Sequence, residues 1–373
     1  MNSSHDSTIA HQDREAGRPL TRPLAALSRE RSGSGTLSPI GGEGWGEGVG
    51  FMESLNFISR LTVGNILSAV LLGCLSGLLG PIMSRAADDP KANSPTASAA
   101  GFRFEAVNDK SLGLWEGDQP VLVFNHGAIG NPNMPTAQSH SNYLHPIYGV
   151  DGEVLTDDFP KDHAYHRGLY WAWPHIKIAG QEYDFWSLRG IRCEFQRWLA
   201  QETNSNMAVL GVENGWFVGD KQVMAEKVWI RVQPASSTSR SIDVELTWTS
   251  TDQPITLSGA EGKSYGGLTL RFGPRSNTII TVPTGRTTND LVVARLPWAD
   301  LSGDLNKGAS GLSGAAIFVH PEPGVTPQTF PVGKTFSCRY RLWIHRGAPA
   351  AAEIQRAYDG YRATVKLQRE GEK

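Results

Sequence analysis

Ser241-Ile242-Asp243-Val244-Glu245-Leu246-Thr247-Trp248-Thr249-Ser250 is a strand-length run rich in β-branched and aromatic residues. Residues 191–202, 207–217 and 222–232 precede it with the same character, and polar stretches such as 201–206 and 233–241 separate them. Further upstream, Phe102-Arg103-Phe104-Glu105-Ala106-Val107 alternates with a period of two, and residues 112–116 and 120–126 follow, with turn residues between. These read as antiparallel strands of a meander. Downstream, residues 267–272, 278–282, 291–296, 315–320 and 335–345 continue the pattern. One helix is expected, over 349–362, where Ile354, Ala357, Tyr358 and Tyr361 share a face. Many strands, long loops and one late helix predict an all-β fold, a large antiparallel β-sandwich with one C-terminal helix. A folded part of about 270 residues exceeds a single immunoglobulin-size sandwich. A single oversized domain over 101–373, of the mutarotase-like supersandwich kind, is therefore expected.

The N-terminal hundred residues read differently. Residues 1–51 are dominated by Ser, Gly, Glu and Arg, a composition that buries too little apolar surface to offset chain entropy. They read as a disordered extension or as sequence upstream of a true start at Met52. From Met52 the chain has the form of an export signal: Arg60, an apolar run over 61–79, then Ser84-Arg85-Ala86-Ala87 as a cleavage site. The competing reading is a membrane anchor at 61–80. Residues 88–100 read as a linker. The expected location is therefore periplasmic or secreted, with membrane contact only through an uncleaved N-terminal segment.

A net charge of -2 gives no basic footprint for nucleic acid. Of three cysteines, Cys74 lies in the apolar segment. Cys193 and Cys338 are read as separate buried thiols, with a single disulfide between them as the alternative. Nucleophile elbow, phosphate loop, dinucleotide fingerprint and CxxC motifs are all missing, which counts against kinase, hydride-transfer and thiol-redox chemistry.

Chemistry concentrates in Asp157-Asp158-Phe159-Pro160-Lys161-Asp162-His163-Ala164-Tyr165-His166-Arg167-Gly168-Leu169-Tyr170-Trp171-Ala172-Trp173. Buried charges and imidazoles cost free energy unless paired, so this mixture reads as the wall of a pocket. His and a neighbouring carboxylate can act as general acid and base. Arg clamps a carboxylate or vicinal oxygens, and Trp and Tyr offer flat faces to a sugar ring. His163 and His166 are the acid/base candidates and Arg167 the anchor. His145, Asp162, Trp171, Trp173 and Arg271 are the binding candidates, together with His320 at a strand end. Large sandwiches of the mutarotase type set His and Arg against a carboxylate from a distant strand. By that fold-level analogy Glu213 and Asp300 are the candidates for that carboxylate, Glu213 in a catalytic and Asp300 in a substrate-binding role. Two structural readings stand beside these: Asp162–Arg167 as an ion pair pinning the loop, and Trp171 and Trp173, which alternate on one strand, as core. His126, His175 and His345 are read as structural or exposed. A metal alternative places His163 and His166, spaced His-x-x-His, on one ion with His145 or Asp162 as third ligand, or with Asp162 supporting His163 from behind.

An ordered series carries a family resemblance. It comprises His145-Pro146, the Leu155–Gly168 core with Asp162, His163, His166 and Arg167, and Trp171-Ala172-Trp173. It continues with Tyr265-Gly266-Gly267-Leu268-x-x-Arg271, Trp298-x-Asp300-x-Ser302-Gly303, and Gly314-Ala315-Ala316-Ile317-Phe318-Val319-His320-Pro321. Together these resemble the bacterial family labelled methane oxygenase PmoA-like, from about Phe102 to Tyr361. The resemblance implies a carbohydrate connection, and its label implies a metal-dependent oxygenase with copper, iron or another divalent ion. The expectation adopted is an exported protein with a carbohydrate-type pocket. It would work on a small-molecule or oligosaccharide ligand without a cofactor, by mutarotase, epimerase or lyase-type acid–base chemistry. A non-catalytic glycan-binding protein and the metal-dependent oxygenase are the alternatives.

Overall fold

The computed structural model describes residues 101–133, 139–261, 265–289, 291, 294–305, 311–319 and 327–371. The expected signal, anchor and linker, and His320, lie outside the described residues. In chain order the first strands are β1 (Phe102–Asn108), β2 (Ser111–Glu116), β3 (Gln119–Asn125), β4 (Tyr143–Ile147), β5 (Leu169–Ala172), β6 (His175–Ile178) and β7 (Gln181–Tyr183). Then come β8 (Arg192–Thr203), β9 (Ala208–Val218), β10 (Lys221–Val232), β11 (Ser239–Ser250), β12 (Ile255–Ser258), β13 (Gly267–Leu270) and β14 (Ser276–Val282). The chain closes with β15 (Gly285–Thr287), β16 (Trp298–Asp304), β17 (Ser313–Val319), β18 (Gln328–Phe330), β19 (Thr335–Arg346) and the helix α1 (Ala351–Gly371).

The strands form a six-stranded sheet (β1-β2-β3-β4-β5-β13), a nine-stranded sheet (β15-β14-β16-β17-β19-β11-β10-β9-β8) and a four-stranded sheet (β18-β12-β6-β7). The fold is an all-β antiparallel sandwich with a C-terminal helix, as the strand pattern predicts. Alternation builds its core. On β11, Ile242, Val244, Leu246 and Trp248 are buried, and the residues between them are only partly covered. Their cross-strand partners on β10 are Val232, Ile230, Val228 and Glu226, so one parity of each strand faces the six-stranded sheet. The side chains from both sheets make one continuous apolar cluster.

The opposite face of the nine-stranded sheet is covered by α1. Ile354, Tyr361 and Val365 pack there on Trp298, Ala316 and Phe318. The helix begins two residues later and runs further than the sequence pattern predicts. Of the strand expected over 291–296, residues 291 and 294–296 are described, and these carry no strand pairing. The apolar residues Leu291 and Leu296 instead pack in a small satellite cluster with Val282 and Ala299. Cys193 and Cys338 are both buried and unbridged. No helix among the described residues is long and apolar enough to cross a membrane.

Candidate functional site

The loop 157–168 lies between β4 and β5 and is tied down by its own backbone. Asp157 N–H donates to the Arg271 carbonyl at 3.0 Å, and Arg271 N–H to that of Gly168 at 2.7 Å. His163 N–H reaches the Pro160 carbonyl at 3.2 Å, and His166 N–H reaches that of His163 at 2.8 Å. At Gly168 a Cβ would stand 2.2 Å from the Leu144 carbonyl oxygen, so only glycine lets the loop close onto β4.

Arg167, expected as the ligand anchor, anchors this loop instead. It is 0 % exposed. Nη1 donates to the Ala164 carbonyl at 2.9 Å and the His166 carbonyl at 2.7 Å. The guanidinium lies 3.6 Å over the Phe159 ring, and Nε is 3.6 Å from Asp158 Oδ1. The ion pair that pins the loop is thus Arg167–Asp158, with Tyr143 donating its hydroxyl to Asp158 Oδ2 at 2.8 Å. Burial pushes Asp158 up to about 6 against the pull of Arg167. It pushes the Arg167 pKa down, against the opposing charge of Asp158.

Asp162 is engaged elsewhere. Arg271 Nη2 donates to both its oxygens, at 2.6 and 2.7 Å, and His163 Nδ1 is 3.0 Å from its Oδ2. Desolvation opposes ionisation of Asp162, but the hydrogen bonds from Arg271 and His163 win and hold it well below the usual carboxylate range. Asp162 is therefore a fixed anion that orients the His163 ring. That ring keeps 29 % of its side-chain surface open and stacks on His166, with centroids 4.8 Å apart and planes 16° from parallel. His166 is buried, and desolvation, then the charges of His163 and Arg271, lower its pKa to about 3. It is a neutral imidazole at pH 7.

Aromatic rings surround the pair. Tyr165 meets His166 edge-on at 5.0 Å, and Trp186 does so at 5.7 Å. Trp186 in turn contacts Tyr170 at 5.1 Å and Tyr265 at 4.8 Å. His145 stands beside Thr156, Nδ1 to Oγ1 3.0 Å, and burial with the nearby Arg167 charge lowers its pKa to about 4.

The other sequence candidates go elsewhere. Trp171 and Trp173 face the core between the sheets, 2 % and 0 % exposed, and have no open face for a sugar. Trp171 Nε1 donates to Glu226 Oε2 at 2.9 Å, and Trp173 packs on Trp216 and Trp248. Glu213 lies on the outward parity of β9, paired with Arg197 at 2.6 Å, so the β alternation turns it away from the loop. Asp300 is buried against His345 Nε2 at 2.7 Å and the Ser302 hydroxyl at 2.9 Å. It shares the parity of Trp298, which packs under α1 on the far side of the nine-stranded sheet. The carboxylates that meet the histidine loop are Asp162 and Asp158, both from the loop itself.

For the metal alternative, stacked His163 and His166 hold their ring-plane lone pairs in nearly parallel planes, which do not converge on one ion. His145 is engaged with Thr156. Among the described residues no group of three or more His, Cys, Asp and Glu side chains is placed to hold a metal.

Sequence reasoning missed Tyr170, Thr269, Trp186 and His140. Tyr170 was legible, because its parity on β5 is opposite to that of Trp171. It also missed Glu226, which sits on the buried parity of β10 among Met224, Val228 and Ile230.

The fold and site define an antiparallel sandwich whose six-stranded sheet carries, on its outward face, an aromatic-walled histidine site. The chain belongs to a family of unknown function (DUF6807), whose model matches residues 112–359. No curated protein matches it.

Proposed function

We propose that this is an exported, periplasmic or secreted protein that performs acid–base chemistry on a sugar or sugar derivative, of mutarotase, epimerase or lyase type. The observation that carries this reading is the Arg271–Asp162–His163 relay. A carboxylate on Nδ1 fixes the ring and supports the imidazolium that forms when the other nitrogen takes a proton, and Arg271 keeps that carboxylate ionised. Tyr165 and Tyr265, both partly exposed, supply the flat surfaces suited to a pyranose ring, with the buried Trp186 packed behind them. His166, neutral and stacked on His163, adds no charge that would compete with proton uptake. Export is supported by Arg60, the apolar run over 61–79 and Ser84-Arg85-Ala86-Ala87. The resemblance to the PmoA-like family is compatible with the carbohydrate link. Its oxygenase label would need His163, His166 and His145 on one ion, and the stacked rings favour acid–base work instead.

The test is a proton NMR time course of the purified protein with a panel of aldohexoses and oligosaccharides. One spectrum reports anomer exchange, a new epimer or an unsaturated product. At least one change should be accelerated, and His163→Gln should slow it by roughly 10²–10⁴-fold while ligand binding persists. Binding without any catalysed change would make the protein a glycan-binding module.

A further inference from the structure

Below the histidine pair, the outward face of β5 and β13 carries polar atoms with no partner. Tyr170 Oη, Thr269 Oγ1, His166 Nδ1 and His140 Nε2 are all buried and make no hydrogen bond. They belong together: Tyr170 and Thr269 are directly paired across β5 and β13, and His140 and His166 lie 5.8 and 6.3 Å from the Tyr170 ring. Buried polar groups in native proteins are nearly always paired, so a group of four on one face calls for an explanation. Neighbouring groups are committed. Asp162 is taken by Arg271 and His163, and Asp158 by Tyr143 and Arg167.

Their chemistry selects what they would bind. His140 Nδ1 lies 2.9 Å from the Ser141 carbonyl, so it carries the hydrogen, and Nε2 of the neutral ring is a pure acceptor. Burial keeps His140 neutral, lowering its pKa to about 4, and burial holds the Tyr170 phenol protonated. Tyr170 and Thr269 each both donate and accept. A ligand hydroxyl satisfies such a set, since it can donate to His140 Nε2 and accept from Tyr170. A carboxylate only accepts, so it leaves the His140 Nε2 acceptor unpaired.

We propose that Tyr170, Thr269 and His140 form a subsite beneath His166 that hydrogen-bonds the hydroxyls of a neutral sugar or polyol, and that discriminates against sugar acids. This rests on the reading of the same site as a sugar site, and it adds the substrate class and the residues that set it. Trp186, in ring contact with both Tyr170 and Tyr265, is the roof of the subsite.

The experiment pairs calorimetric titration with thermal unfolding. Wild type, Tyr170→Phe and Thr269→Val are titrated with D-glucose, D-galactose and D-mannose, and with D-glucuronate and D-galacturonate. Wild type should bind at least one neutral hexose, and its uronate at least tenfold more weakly. Each variant should lose about tenfold in hexose affinity, the loss of one hydrogen bond, with a melting temperature unchanged or raised. Equal or tighter uronate binding overturns the substrate class. A lowered melting temperature with unchanged hexose affinity means that the atoms serve the fold, through internal water, and also overturns the proposal. In both of those cases, hexose turnover that depends on His163 leaves the sugar-site reading standing. If wild type binds no hexose, the subsite proposal falls; if in addition it binds no uronate and turns over no sugar of the NMR panel, the sugar-site reading falls with it.

Discussion

Tyr170 and Trp171 are neighbours on β5 and point to opposite faces, into two buried polar clusters of opposite character. On the Trp171 side, Glu226 is completely buried, yet its carboxylate is saturated. Oε2 accepts the indole N–H of Trp171, Trp216 and Trp248 at 2.9, 3.0 and 2.7 Å, and Oε1 accepts the Asn214 amide at 2.9 Å. The strand register delivers these donors, since Trp248 and Asn214 are the direct partners of Glu226 on the two adjacent strands. On the Tyr170 side, four buried polar atoms have no partner. A satisfied buried network specifies a core, whereas an unsatisfied one costs stability and persists where function needs it. Trp173 Nε1 and Asn214 Oδ1 nearby also lack a partner, so it is the saturated Glu226 carboxylate that belongs to the fold, and the set of open donors and acceptors around Tyr170 that belongs to the site.

Glu226→Leu should break this contrast most severely. It strands three indole N–H groups and the Asn214 amide in the core. At roughly 1–3 kcal/mol for each buried donor left unmade, the variant should lose most of its stability in urea unfolding or fail to fold. Glu226→Gln keeps an acceptor oxygen for the indoles and should cost far less. Near-equal stability of the Leu variant and wild type would mean that the cage is dispensable.

Acid should separate the two kinds of buried titratable group. His166 has its folded pKa lowered from 6.5 to about 3, so its neutral form is favoured by the fold. Its contribution is complete above the unfolded value and is lost as pH falls from about 6.5 towards 3, by up to about 1.4 kcal/mol per pH unit. A His166→Gln variant lacks this loss and should gain on wild type as pH falls. Asp158 runs the other way. Its pKa is raised from 3.8 to about 6, so the fold holds its proton, and stability declines as pH rises from about 4 to 6. Asp158→Asn should therefore gain on wild type with rising pH. Urea midpoints at several pH values read both, and slopes of the same sign would contradict the assignment.

Arg271→Met should produce the smallest change in stability and a clear change in function. Its partner Asp162 keeps 46 % of its side-chain surface exposed, and ion pairs of that kind contribute roughly 0–1 kcal/mol. Removing Arg271 frees the carboxylate that orients His163, so turnover should fall about tenfold or more while the urea midpoint stays within about 1 kcal/mol of wild type. A large stability loss would make Arg271 a structural residue.

The long strands were legible because their alternation is sustained over seven to twelve residues, as on β10 and β11. The four-stranded sheet was not. Its members β6, β7, β12 and β18 have three or four residues each, too few for a period to show. The 157–168 loop was legible as a site from its composition, but the role of each side chain was not. Arg167 and Arg271 look alike in sequence, and only the fold shows one turned inward onto loop carbonyls and the other reaching Asp162 across the site. Only fold-level analogy points to Glu213 and Asp300, and their parity on the strands turns them to other faces. Glu226 carried a signal that went unread, a lone carboxylate on the apolar parity of its strand.

The most direct test of the account is urea unfolding of Trp171→Phe and Tyr170→Phe side by side with wild type. Trp171→Phe removes a satisfied donor and core volume, and should cost about 2–4 kcal/mol. Tyr170→Phe removes an unsatisfied hydroxyl and should leave stability within about 0.5 kcal/mol of wild type or raise it. Comparable losses in both variants would contradict the division of β5 into a structural face and a functional one.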